Sequence, residues 1–325
     1  MYENRDDSSR LTSGLGSPPA DERVPTATMS PPPPAPASRR PDRSGAQPIT
    51  DGKLRRLYGW ETLVVLSIFP LSATIVAIAY LLMRVTTGTE FSSGSMFIPG
   101  EPGLSLAVSM AIIISEFSAA GLVVFLLIRN GEGLISIGLT GHRFRKDLAL
   151  LLPVWIFVDV VPQAVGSAIV TATHLPRFDV ATPPVPAAFV AAALLMSLNA
   201  GVVEEIVVLG YLVRRLEQRG WSPTTVVIVA VLVRVSYHLY YGPGVLPIVL
   251  WATASVLVYR KVRRLLPFII CHFVWDASIS INDYSRKAAI IFNGVFFVSA
   301  VVFLLLWSRE DKQAAAPLSL PVLLP

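Results

Sequence analysis

Glu204 and Glu205 stand side by side in an apolar run long enough to cross a bilayer. Two later apolar stretches carry Arg234 with His238, and His272 with Asp276. Each of those pairs is spaced i,i+4, which places its members on one helical face. A charged side chain near the bilayer centre costs about 2.5–3.5 kcal/mol on insertion scales. Glu204, Glu205, Arg234 and Asp276 together, left unpaired, would cost roughly 10–14 kcal/mol. A chain sustains that burden only where such groups meet one another, water or a substrate, so the function is sought there.

The surrounding sequence is that of a membrane protein. Of 325 residues, 53% are hydrophobic and 15% charged, well under the quarter typical of soluble domains. Hydrophobic spans fall at about 60–83, 104–128, 148–172, 187–212, 223–241, 245–259, 265–281 and 288–307. They predict an all-α polytopic protein with about eight transmembrane helices. The sixth and seventh spans are short, so either can be tilted, broken or re-entrant. Basic residues recur in alternate loops: Lys53, Arg55 and Arg56; Arg129 through Lys146; Arg214, Arg215 and Arg219; Arg260 through Arg264; and Arg309 with Lys312. Under the positive-inside rule both termini are cytoplasmic, in what we expect to be the plasma membrane. Because the net charge of +5 is spread over these boundaries, it does not point to nucleic acid. Residues 1–55, with the run Pro31-Pro32-Pro33-Pro34-Ala35-Pro36, read as a disordered cytoplasmic tail. Residues 56–312 form the transmembrane helical domain, and 313–325 a short C-terminal tail. The single cysteine, Cys271, reads as a buried inert thiol.

A carboxylate pair, two histidines, an aspartate and an arginine on separate helices suit hydrolysis by activated water. A buried carboxylate next to a second one and an arginine can act as general base. A histidine facing it can share the water or deliver a proton to a leaving amine, and a second histidine one turn from an Asp can donate to an oxyanion.

Glu204-Glu205 with Gly210 and Leu212 downstream, then His238, then His272-Phe-Val-Trp-Asp276, resembles the motif set of the CAAX protease and bacteriocin-processing (CPBP) family. That family of intramembrane endopeptidases includes the type II CAAX prenyl proteases. Its pattern is Glu-Glu-x-x-x-Arg-Gly, then Phe-x-x-x-His, then His-x-x-x-Asn or Asp, on separate transmembrane helices. The resemblance spans residues 187–281. It implies that Glu204 and His238 activate water, that His272 and Asp276 hold the oxyanion, and that the substrate is a peptide or protein in the bilayer. No cofactor is implied; the alternative is a zinc ion on Glu204, His238 and His272. Two positions depart from the pattern. Leu209 stands where the family has Arg, and Arg234 where it has Phe. The two changes suggest one compensation, in which Arg234 pairs with Glu205 and leaves Glu204 facing the water.

Other polar residues have plainer readings. Tyr237, Tyr240 and Tyr241 suggest an interfacial aromatic belt. Glu116 and Asp159 lie within spans but in no family motif, and pairing with backbone or water is expected of them. Asn199 suits a helix–helix hydrogen bond. His238 sits deeper in its span than His272 in its own, and a break at Asn199-Ala200-Gly201 would bring them level. Two rival functions remain: a catalytically inactive scaffold or immunity-type protein of the same fold, and a proton-coupled transporter.

Overall fold

A computed structural model describes residues 46–88, 102–140, 144–175 and 187–315. The chain divides into an N-terminal unit, Met1–Asp42, outside the described residues, and a body, Arg43–Pro325. The expected tail thus falls largely outside the described residues, as do Arg177 and positions 316–325. The body is all-α, with no strand among the described residues.

Nine helices are described. α1 (Gly52–Ile68) and α2 (Leu71–Thr87) meet at a 41° bend, so the first expected span is a broken one. α1 begins ahead of residue 56 because the Asp51 side chain caps it, accepting from the Lys53 amide at 2.8 Å. α3 spans Pro102–Arg129 and α4 Phe144–Ala172. α5 is α-helical over Ala187–Glu204, π-helical over Glu205–Leu212 and α-helical again over Val213–Gln218. α6 (Pro223–Ser236) starts at the Ser222 cap with Pro223 in its first turn. α7 (Leu246–Val262), α8 (Leu266–Tyr284) and α9 (Arg286–Ala315) complete the set.

Among the described residues five helical stretches are long and apolar enough to cross a membrane, or six with the bent α1–α2 pair counted as one. The other two expected spans are helical as well. α6 has only 14 residues, and α8 is diluted by His272, Asp276, Asn282 and Asp283. The break expected at Asn199-Ala200-Gly201 is absent, because α5 stays α-helical through Glu204. The irregularity lies one turn later, in the wider π turns that begin at Glu205.

One end of the bundle is tied by ion pairs among the loops that charge counting put on a common side. Glu217 takes Arg260 at 2.9 Å and Arg263 at 2.7 Å, while Glu132 takes Arg214 at 3.2 Å and Arg215 at 2.9 Å. Arg264 pairs with Asp147, and Arg129 with Glu61. Burial alone would raise the Glu132 carboxyl, but the Arg214 hydrogen bond and the Arg215 charge hold it below its ordinary value. The apolar core, with Val207, Leu209, Tyr211 and Leu265 inside, lies between this charged end and the polar cavity described next.

α5 and α8 form the most extensive helix pair. Gly201 makes this possible: a Cβ there would come within 2.9 Å of the Ile269 carbonyl oxygen and the Phe273 nitrogen on α8. The close approach sets α8's His272 against α5's Glu205.

Candidate active site

The two glutamates, adjacent in sequence, occupy different surroundings. Glu205 is 1% exposed and accepts contacts from two helices on one oxygen. Arg234 Nη2 of α6 is 3.0 Å from Oε1, and His272 Nδ1 of α8 is 2.8 Å from the same atom. The Arg234–Glu205 pair suggested by the two departures is therefore present, and Leu209 is buried in the apolar core. Arg234 also lies 4.5 Å from the centre of the Trp251 ring, a second support for a fully buried cation.

Glu204 instead lines a cavity of about 410 Å³, together with His238, His272 and Asp276. Four of the five candidate catalytic residues thus reach one space, and Glu205 stands behind them. The Tyr237 hydroxyl donates to Glu204 Oε2 at 2.8 Å. His238 Nδ1 is 2.9 Å from the Arg234 carbonyl oxygen, which can only accept, so Nδ1 carries hydrogen and Nε2 keeps a lone pair. His272 completes its contacts through Nε2, 3.4 Å from Asp276 Oδ2.

The tyrosines join the site. α6 stops at Ser236, and a 3₁₀ turn over Leu239–Val245 folds the chain back, with Gly242 at φ 57°. A positive φ suits glycine there. This turn carries Tyr240 and Tyr241 to the cavity wall, and Tyr237 is buried against Glu204. All three tyrosines line the cavity. His238 therefore follows the end of α6 rather than lying deep within it.

Glu116 and Asp159 also line the cavity, and each has a side-chain partner. Asn199 Nδ2 donates to Glu116 Oε2, the helix–helix bond anticipated for that residue. Trp251 Nε1 donates to Asp159 Oδ1 at 2.9 Å, and the Trp251 ring meets His272 edge-on at 4.9 Å. Spacing along the chain carries no sign of these cross-helix pairs. Cys271 is buried with Sγ 3.5 Å from the Leu151 carbonyl oxygen, facing away from this chemistry.

Residues 186–278 match the family model described as Type II CAAX prenyl endopeptidase Rce1-like. Over this stretch the chain is similar to the CAAX prenyl endopeptidases. The match contains every candidate residue, from Glu204 to Asp276, and covers under a third of the chain. No curated protein and no solved structure matches the chain. The match supports a CAAX-type protease in general, and the apolar helices fit an integral membrane protein.

Among the described residues no group of three His, Cys, Asp or Glu side chains is placed to hold a metal ion. Both His272 nitrogens are already engaged, by Glu205 and by Asp276.

Proposed function

We propose that this CAAX protease relative is an intramembrane endopeptidase that hydrolyses a peptide bond by glutamate-activated water, without a cofactor. The observation that carries the proposal is the shared cavity, where Glu204, His238, His272 and Asp276 meet while Arg234 and His272 occupy Glu205. Tyr237 fixes Glu204 through Oε2, so Oε1 is the oxygen available to a water. That water attacks the scissile carbonyl carbon as Glu204 takes one of its protons. The carbonyl oxygen gains negative charge and is met by the Nε2–H of His272, drawn from its long contact with Asp276. Asp276 acts by holding the ring, since an ionised carboxylate only accepts hydrogen bonds. His238 Nε2 accepts the proton that Glu204 took from the water and delivers it to the leaving nitrogen as the C–N bond breaks. This restores the Glu204 carboxylate and leaves a carboxylic acid that then ionises. A carboxylate and an amine result.

Glu205 and Arg234 position this machinery. Glu205 orients His272 from Nδ1, and the Arg234 carbonyl orients His238 from its own Nδ1. The substrate is a membrane-embedded or lipid-anchored peptide, with prenylated CAAX tails the first class to try. The protein lies in the plasma membrane with the ion-paired end and both termini in the cytoplasm, a reading supported by the basic residues gathered there. Purified protein in lipid vesicles, offered prenylated and unprenylated CAAX peptides, tests the proposal. Cleavage lost in Glu204→Ala and in His238→Ala supports it; cleavage that survives both refutes it. Proton-coupled flux without cleavage would instead mark a transporter.

A further inference from the structure

The cavity holds more acid than the hydrolytic reading uses. Its lining includes Glu116 and Asp159 besides Glu204 and Asp276 but, among the described residues, no Lys or Arg. Arg234, the cation that neutralises Glu205, is fully buried and is not part of the lining. Carboxyl groups within membrane helices are costly without a cationic counterpart.

Two buried acceptors in this wall are unfilled. Asp159 is 2% exposed; Oδ1 accepts from Trp251, while Oδ2 has no partner. Asn199 is 3% exposed and gives its amide N–H to Glu116, leaving Oδ1 without a partner. Such atoms carry a desolvation penalty of about 1–3 kcal/mol each until a donor reaches them. The aromatic faces of Tyr240, Tyr241, Trp251 and Trp275 share the same lining. Acceptors, surplus carboxyl groups and aromatic faces together suit one ligand chemistry: a cation on an apolar stem. A lysine ammonium offers three donors and no acceptor, a guanidinium five, and both carry methylene stems. An apolar side chain would leave the acceptors unpaired, a neutral polar one would leave the acidic lining without a counter-charge, and an acidic one would meet like charge.

We propose that the cavity contains a subsite for a basic side chain, Lys or Arg, of the peptide substrate, with Asp159 and the Asn199-supported Glu116 as its acceptors. The proposal deepens the peptidase reading and rests on it for the peptide-borne origin of the cation.

Binding tests it without requiring turnover. Glu204→Gln protein in lipid nanodiscs is titrated with a hydrophobic peptide carrying one Lys, and with the same peptide carrying norleucine, while tryptophan fluorescence is followed. The Lys peptide is expected to bind at least ~10-fold more tightly, a difference of about 1.4 kcal/mol. Adding Asp159→Asn and Glu116→Gln is expected to reduce that preference to below ~3-fold. Free n-butylammonium, an equivalent cation without a peptide, is expected to bind at least ~100-fold more weakly than the Lys peptide. Equal affinity for the Lys and norleucine peptides overturns the subsite, and that comparison needs no substitution at the acids. A preference untouched by the two neutralising changes also overturns it. Butylammonium binding as tightly as the peptide refutes a peptide-borne ligand. A Lys preference in a wild-type protein that cleaves neither peptide keeps the cation site and sinks the peptidase reading instead.

Discussion

Replacing Arg234 by Met keeps most of the side-chain volume and removes the guanidinium from the centre of the bundle. Arg234 is fully buried, its Nη2 lies 3.0 Å from Glu205 Oε1, and Glu205 is itself 1% exposed. Removing one member of a buried pair typically costs about 3–5 kcal/mol, because the other charge stays behind in low dielectric. The lower half of that range applies, since His272 Nδ1 still reaches Glu205 Oε1 at 2.8 Å. Replacing both members is far milder. Glu205→Gln keeps an acceptor for His272, so Arg234→Met with Glu205→Gln should lie within about 1 kcal/mol of the parent. Glu205→Gln alone strands the buried guanidinium at a similar cost, so the double-mutant cycle has a coupling energy of roughly 5 kcal/mol or more. Reversible unfolding in mixed detergent micelles measures all four proteins. Additive effects, or an Arg234→Met protein within about 0.5 kcal/mol of the parent, would refute the view that this pair carries the charge balance of the site. The same logic predicts that Leu209→Arg restores part of what Arg234→Leu loses, returning the cation to the family's position. No restoration would refute the compensation.

Two further outcomes follow from the packing and the charged end. Gly201→Ala places a Cβ within 2.9 Å of α8 backbone atoms, which cannot yield as a side-chain tip can. We expect a loss of about 1–3 kcal/mol in micelle unfolding and a fall in any cleavage, as α8 carries His272 away from α5. Glu132 has its carboxyl held below the ordinary value, so its contribution to stability is complete above the normal carboxylate range, about pH 4.3. It is lost as pH falls through the lowered value, where the folded state must take up the proton. Thermal unfolding should therefore weaken below about pH 4. Glu132→Gln should flatten that limb, and an unchanged acid limb would contradict the assignment.

The positions of the reacting groups were legible because they break an apolar pattern. Glu204-Glu205, His238 and the i,i+4 pair His272–Asp276 are conspicuous in membrane helices, and the last pair meets at 3.4 Å as spacing implies. The Arg234–Glu205 contact was legible for the same reason, two unlike charges each lacking another explanation. What was hidden depends on backbone irregularity. The π turns over Glu205–Leu212 lie in an ordinary apolar run with no proline to announce them. The early end of α6 at Ser236 lets the 3₁₀ turn over Leu239–Val245 bring Tyr240 and Tyr241 to the cavity wall beside Tyr237. The Glu116–Asn199 and Asp159–Trp251 pairs cross between helices distant in sequence, and only the close α3–α5 and α4–α7 contacts reveal such neighbours.

Hydrolysis in heavy-oxygen water is the most direct trial of the whole account, with a membrane peptide cut by protein in vesicles and the new carboxylate weighed by mass spectrometry. One labelled oxygen per cleavage is expected, appearing at a rate that Glu204→Gln lowers at least ~1,000-fold while the protein stays folded. Label entering at an undiminished rate in Glu204→Gln would show that the water is activated elsewhere and would contradict the account at its root.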